Sequence, residues 1–311
     1  MSYKLFKRRK RERGKQSGIA KTGTHQVKIL HLVKSRFSRA SVYTWGTLVA
    51  VVLSTNGRPT VQLALLASLS TFLMSLAVYI FNDLADLEVD KINAPDRPLV
   101  LRSVSKADTV VLVLLLNFGG MSIGYLLGFY PFLITVGEMI LGVAYSVRPF
   151  SLKDRFLAKT LAIGAGGILA IIFGGVAAGS VNSLVVYAAL LFLIFLFVTS
   201  PINDLADYVG DLAQRRKTIP IKIGRQNTVR LALLVAVLPP IPTLILLPAI
   251  GLNVLMPTLF LLLTCRSGQL LIPLLKKCSD PKIVREHHKQ LIPMHFLLQG
   301  ALALGTLNIH I

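Results

Sequence analysis

The chain has 311 residues, 53% of them hydrophobic and 15% charged, with a mean hydropathy of +0.65; a soluble globular domain carries about 25% charged residues. That balance excludes an ordinary water-soluble domain and makes the bilayer the expected solvent. The net charge of +20 raises nucleic-acid binding, but membrane proteins also gather Lys and Arg in cytoplasmic loops, so the placement of the basic residues decides.

Residues 1–36 form a basic head containing LFKRRKRERGK. It is expected to be a disordered cytoplasmic segment that also attracts anionic lipid headgroups. A mitochondrial transit peptide fits the arginines but not the scarcity of serine or the lack of an apolar face. A secretory signal is disfavoured because the first apolar run continues into STNGRP. Residues 37–311 then carry nine apolar runs of the length that crosses the hydrocarbon core as helix. They lie near 40–56, 60–82, 109–128, 130–147, 159–179, 182–202, 229–250, 252–274 and 291–309, and Glu138 is the single acidic residue inside them. Backbone polar groups in lipid are satisfied within helices, so the expected fold is all-α: a polytopic integral membrane bundle of nine transmembrane helices. With nine spans, 33 of the 34 Lys and Arg fall on one face and Arg58 alone on the other. This places the N-terminus and the even-numbered gaps in the cytoplasm of a plasma-membrane protein. It also accounts for the charge without nucleic acid. Cys265 and Cys278 fit neither a disulfide framework nor a zinc site.

The pentapeptide NDLAD occurs twice, at Asn82–Asp86 and Asn203–Asp207, each time at the inner end of an apolar run. Asn82, Asp86 and Asp90 recur at i, i+4 and i+8, as do Asn203, Asp207 and Asp211, so each trio is expected to line one stripe of a helix, with Asp83 and Asp204 on the flank. Carboxylates four residues apart repel each other and are costly near a membrane, and no basic residue lies inside either nine-residue motif. Oxygen-only ligands suit Mg²⁺, which is held by one or two carboxylates together with substrate phosphates. Two facing stripes would hold two ions against a diphosphate, with Asn82, Asp83, Asp86, Asp90, Asn203, Asp204, Asp207 and Asp211 as the candidate metal ligands. Lys91, Arg97, Lys153, Arg215, Arg216 and Lys217 adjoin the motifs on the same face and are candidates for the remaining phosphate charge.

The pattern resembles the UbiA superfamily of intramembrane prenyltransferases, whose members carry NDxxDxxxD after the second helix and DxxxD after the sixth. Asn82, Asp83, Asp86 and Asp90 match the first, and Asp207 and Asp211 the second. YSVRPFSLK, Tyr145 to Lys153, is similar to the YSxPPxxLK stretch that ends the fourth helix in many members, and KTIP at Lys217–Pro220 to a run beyond the second motif. Members often have a Gly before that run where this chain has Arg215, and many have Ser-Gly where it reads LVLRSVS. The resemblance implies transfer of a prenyl group from a prenyl diphosphate to a lipophilic acceptor, with Mg²⁺ bound by Asn82, Asp86, Asp90, Asp207 and Asp211. Asp86, Asp207, Lys153 and Tyr145 are the expected catalytic residues, Tyr145 through its ring face or on the acceptor side. The first motif continues into DKINAPDRPL, much as in archaeal digeranylgeranylglyceryl phosphate synthases, which implies geranylgeranylglyceryl phosphate as acceptor. An aromatic quinone precursor or a tetrapyrrole is the alternative. No obligatory protein partner is expected.

A cation-coupled transporter is the reading from another class, since duplicated intramembrane carboxylates occur there. Its carboxylates belong near the midplane, whereas these motifs end apolar runs. Glu138 is expected to be neutral or hydrogen-bonded toward the bundle, His287 and His288 to lie in a solvated loop, and the glycines of residues 163–175 to serve close helix packing.

Overall fold

The computed structural model describes residues 25–241, 243, 253 and 255–306, and every regular element among them is helical. The basic head up to residue 24 lies outside the described residues. The long helices are α1 (His25–Ser54), α2 (Val61–Ala85), α4 (Lys106–Leu127), α5 (Phe129–Ser146), α6 (Ala158–Ala177), α7 (Ser183–Ala206), α10 (Arg225–Ala236), α11 (Leu255–Leu271) and α13 (Pro281–Gly305). Short helices α3 (Leu87–Asn93), α8 (Tyr208–Ala213), α9 (Ile219–Ile223) and α12 (Leu274–Lys277) sit between them.

A described helix overlaps each of the nine apolar runs, but at the seventh it is only the 12-residue α10, and nine spans are not shown. Six of these stretches among the described residues are long and apolar enough to cross a membrane: α2, α4, α5, α6, α7 and Leu255–Lys277. The other three helices are not among these six. α1 carries Lys28, Lys34, Arg36 and Arg39 in its first half, α13 carries Lys282, Arg285, Glu286 and Lys289, and α10 has 12 residues and ends at Ala236.

Four of the long helices start where side-chain oxygens take up free N–H groups. Thr60 caps α2 at Leu63, Ser105 caps α4 at Asp108, Asn182 caps α7 at Val185 and Asp280 caps α13 at Lys282 and Ile283. α7 is the central post, with Leu191, Phe192, Val198 and Ile202 fully buried among α1, α6, α10 and α13. The α6 glycines allow that approach. A Cβ on Gly167 would collide with the Phe192 ring, and one on Gly174 with the backbone carbonyl of Thr47, 2.5 Å away.

Candidate active site

One cavity is lined by α1, α2, α5, α6, α7 and α13. Both NDLAD motifs open into one end of it, and Met74, Val78, Leu141, Ala162, Ile163 and Leu196 form apolar wall elsewhere.

The acidic stripes do not run along single unbroken helices. α2 ends at Ala85 and α3 begins at Leu87, with Asp86 between them at φ −102°, ψ 13°; α7 and α8 break identically at Asp207, φ −100°, ψ 6°. The i→i−4 bonds continue through each junction, from Asp90 N–H to Asp86 and from Asp211 N–H to Asp207, so the trios stay on one side while the short helices turn. In both copies the asparagine holds the middle aspartate: Asn82 Nδ2 donates to Asp86 Oδ2 at 3.0 Å and Asn203 Nδ2 to Asp207 Oδ2 at 3.1 Å. α3 and α8 pack on each other, and Gly210 N–H donates to Asn93 Oδ1 at 3.0 Å.

The motifs contain no basic residue, yet each aspartate is met by one from elsewhere. Arg36 and Arg97 pair with Asp83, Arg97 with Asp90, Lys153 and Arg216 with Asp86, Lys159 with Asp204 and Asp211, Arg216 also with Asp211 and Asp154, and Arg285 with Asp207. Burial raises the Asp86 carboxyl pKa, but Arg216 and Lys153 outweigh it and hold the group below its ordinary value. Burial prevails at Asp90, pushed up to about 6 against the pull of Arg97 and with the help of Asp83 and Asp86. Asp211 is likewise raised by burial, opposed by Lys159 and Arg216. Burial works against the charge of Arg216, but Asp86 and Asp211 more than compensate and its pKa lies above the usual arginine value.

Of the cations named from the sequence, Arg97 and Arg216 line the cavity, and Lys153 reaches in to contact Asp86 at 2.8 Å and Asn82 Oδ1 at 3.3 Å. Lys91, Arg215 and Lys217 are exposed and line no part of it. Lys91 is held by Glu88 at 2.7 Å, one helical turn away. Arg215 and Arg216 diverge because α8 ends in a Schellman turn: Arg216 N–H donates to the Asp211 carbonyl and Arg215 N–H to that of Leu212. Arg215 takes the left-handed φ of 55° in the position that favours glycine. The turn points Arg215 outward and returns Arg216 to Asp211 and Asp86. Tyr145 lines the cavity from α5.

Sequence reasoning missed Arg36, Arg39, Lys159 and Arg285 as site residues. Arg36 and Lys159 are almost fully buried, and a basic residue at the edge of an apolar run was the available signal. His287 and His288 are not in a loop but within α13, whose Asp280 cap and Pro281 at the first turn mark its start. His287 Nδ1 lies 2.7 Å from the Leu270 carbonyl, and His288 lines the cavity with Ile292 and His295. Glu138 faces the cavity and makes no hydrogen bond or ion pair with the described residues.

Among the described residues no three His, Cys, Asp or Glu side chains form a closed cage for a metal. The donors nevertheless fit a hard cation that keeps water and substrate oxygens in its shell. Both Asp204 oxygens and Asp211 Oδ2 are buried and accept no aligned hydrogen bond, although Lys159 Nζ lies 2.6 Å from Asp204 Oδ1 and 3.6 Å from Asp211 Oδ2.

The model of the UbiA prenyltransferase family matches residues 43–280. A digeranylgeranylglyceryl phosphate synthase of Thermococcus sibiricus is 32% identical over 181 residues, 58% of this chain and 63% of that protein. One from Methanothermobacter thermautotrophicus is 32% identical over 160 residues, 51% of this chain and 56% of the relative. The chain thus spans less than two thirds of the length of these relatives. A solved structure of a digeranylgeranylglyceryl phosphate synthase superposes with a TM-score of 0.68 at 20% identity, covering 92% of this chain and 99% of the other. A UbiA homologue from Archaeoglobus fulgidus bound to DMAPP and Mg²⁺ does so at 0.63 and 15% identity, covering 88% and 99%. The fold is shared with both, and the family match takes in both acidic motifs and the loops that carry Lys153 and Arg216: the chain belongs to the UbiA prenyltransferase family.

Proposed function

We propose that the chain is an intramembrane prenyltransferase that moves a prenyl group from a prenyl diphosphate to a lipophilic acceptor. The observation that carries this reading is the meeting of two acidic motifs and their cations at one end of a cavity whose remaining wall is mostly apolar, with Glu138, His288 and His295 also on it. A diphosphate ester is the ligand that needs both halves: oxygen ligands and cations for its head, hydrocarbon for its tail.

Asn82, Asp86, Asp90, Asp207 and Asp211 would hold Mg²⁺, two ions in this reading, with Asn203, Asp83 and Asp204 beside them. Bound Mg²⁺ supplies Lewis-acid stabilisation of the charge that collects on the leaving diphosphate. Arg97, Lys153 and Arg216 stand where they can transfer from carboxylate to phosphate oxygens and share that charge. As the C1–O bond breaks, its electron pair leaves with the diphosphate. The apolar wall keeps water from the allylic carbon until the acceptor's lone pair attacks it and the acceptor loses a proton. Tyr145 presents a ring edge or face to this space.

The acceptor proposed is geranylgeranylglyceryl phosphate, supported by the DKINAPDRPL continuation of the first motif and by the names of the relatives. The proposed topology is nine spans in the cell membrane with the motif end cytoplasmic, supported by the one-sided distribution of basic residues. The experiment is Mg²⁺-dependent diphosphate release by purified protein given geranylgeranyl diphosphate and a panel of acceptors. Asp86→Ala and Asp207→Ala are expected to abolish transfer in folded, inserted protein. Full activity in either refutes paired metal binding, and no turnover of any donor and acceptor by the native protein refutes the enzyme.

A further inference from the structure

The second residue of each motif is paired with a cation from the helix before it. Asp83 of α2 is gripped by Arg36 of α1, and Asp204 of α7 by Lys159 of α6. Consecutive helical residues point about 100° apart, so Asp83 turns away from the stripe of Asn82 and Asp86 toward α1. There Arg36 donates through Nε and Nη2 to both of its oxygens, and Arg97 Nη1 adds a bond to Oδ1 at 3.1 Å. Arg36 is 5% and Asp83 3% exposed. Arg36 and Asp83 line the cavity, but one buried guanidinium holds both Asp83 oxygens, whereas Asp86 is held by separate groups, Asn82 on Oδ2 and Lys153 and Arg216 on Oδ1. A cation would reach Asp83 only by displacing the whole fork. What the pair can do is fix the rotation of α2 against α1, and with it the direction of Asn82, Asp86 and Asp90.

We propose that Arg36–Asp83 is a helix lock, a pair of positioning residues that aims the first motif at the second without binding the ion or the diphosphate. The inference rests on reading the motifs as cation and diphosphate ligands. The counterpart Lys159–Asp204 is its internal control. There a single ammonium is shared with Asp211, and both Asp204 oxygens remain without a hydrogen bond, so that pair is not spent on packing alone.

A buried ion pair exchanged as a whole for apolar residues is often tolerated, whereas loss of one partner is not. A lock therefore survives joint replacement, and a ligand does not. Arg36→Met, Asp83→Leu and the double variant are compared in lipid nanodiscs by melting temperature in EDTA, by Mn²⁺ binding followed by electron paramagnetic resonance, and by kcat and KM. Each single substitution is expected to lower the melting temperature and to weaken Mn²⁺ binding by about ten-fold or more, as for other residues that orient ligands. The double variant is expected to regain both, with Mn²⁺ affinity within about three-fold of native, a large coupling between contacting residues. A double variant that binds Mn²⁺ as weakly as Asp83→Leu overturns the proposal. Lys159→Met with Asp204→Leu is expected to show no recovery of Mn²⁺ affinity, and recovery there overturns the contrast between the halves. Should Asp83→Leu not fold, Asp83→Asn and Arg36→Gln give the same comparison. If native protein binds neither Mn²⁺ nor diphosphate, it is the functional reading that fails, and the coupling of melting temperatures still decides the lock.

Discussion

Replacing Arg216 by methionine should move metal affinity and catalysis in opposite directions. The guanidinium is 8% exposed and bridges Asp86, Asp211 and Asp154. Without it Asp86 keeps Lys153 at 2.8 Å, whereas Asp211 keeps only Lys159 at 3.6 Å. In the metal-free protein this is a buried network broken from one side, a loss of about 3–5 kcal/mol. An incoming divalent cation, however, no longer displaces the guanidinium from its own ligands. A hydrogen bond to a charged group is worth about 1.5–3 kcal/mol, so Mg²⁺ should bind about 10–100-fold more tightly in the absence of diphosphate. Transfer should nonetheless fall by about 10²–10³-fold, because the proposed mechanism loses a cation that would share the charge of the departing phosphate. Titration calorimetry or Mn²⁺ resonance with and without inorganic diphosphate, beside turnover, separates the two effects. Metal affinity that falls together with turnover would refute the reasoning and make Arg216 a support of the ligands rather than their competitor.

Lys217→Ala should leave donor affinity unchanged in a competition assay, since the side chain is exposed and only its N–H is engaged, at the Asp154 carbonyl 2.9 Å away; weakened donor binding would bring the residue back into the site. Gly210→Ala should destabilise the protein by about 1–3 kcal/mol through overpacking, because a Cβ there would collide with the Asn93 side chain between α3 and α8. Melting in EDTA reads that cost, and turnover should fall with it because the junction holds the two motifs together. An unaltered melting temperature and turnover would show that the junction does not set the site.

The helices and the motif aspartates were legible because their signals are local: apolar length, a repeated pentapeptide, and oxygen-bearing side chains at i, i+4 and i+8. The partners of those aspartates were not, since Arg36 lies 47 residues from Asp83 and Arg285 lies 78 from Asp207. In the sequence such residues look like ordinary positive-inside loop charges. Proximity in sequence misled in the other direction as well. Lys91 follows the first motif directly but is captured by Glu88, and Arg215 and Lys217 flank Arg216 yet point to solvent. What separates Arg216 from them is a single left-handed residue at the end of α8, a feature that an arginine in the usual glycine position conceals.

The absence of basic residues within the motifs suggests from sequence a concentrated negative site that calls for metal. Folding changes that electrostatic picture. Six motif aspartates meet six cations drawn from α1, α6, α13 and the loops after α3, α5 and α8, so the site is close to neutral although the chain carries +20. A bare diphosphate approaching it meets carboxylates that already hold the cations it needs, and a bare metal ion meets cations that already hold its ligands. On the proposed reading each ligand would release what the other requires: metal on the carboxylates would free Arg97, Lys153 and Arg216 for phosphate, and phosphate on those side chains would free the carboxylates for metal. Reciprocity of this kind requires each to raise the affinity of the other by the same factor. If the site binds donor and metal as proposed, the balanced constellation predicts that they bind together and that the protein holds neither strongly alone.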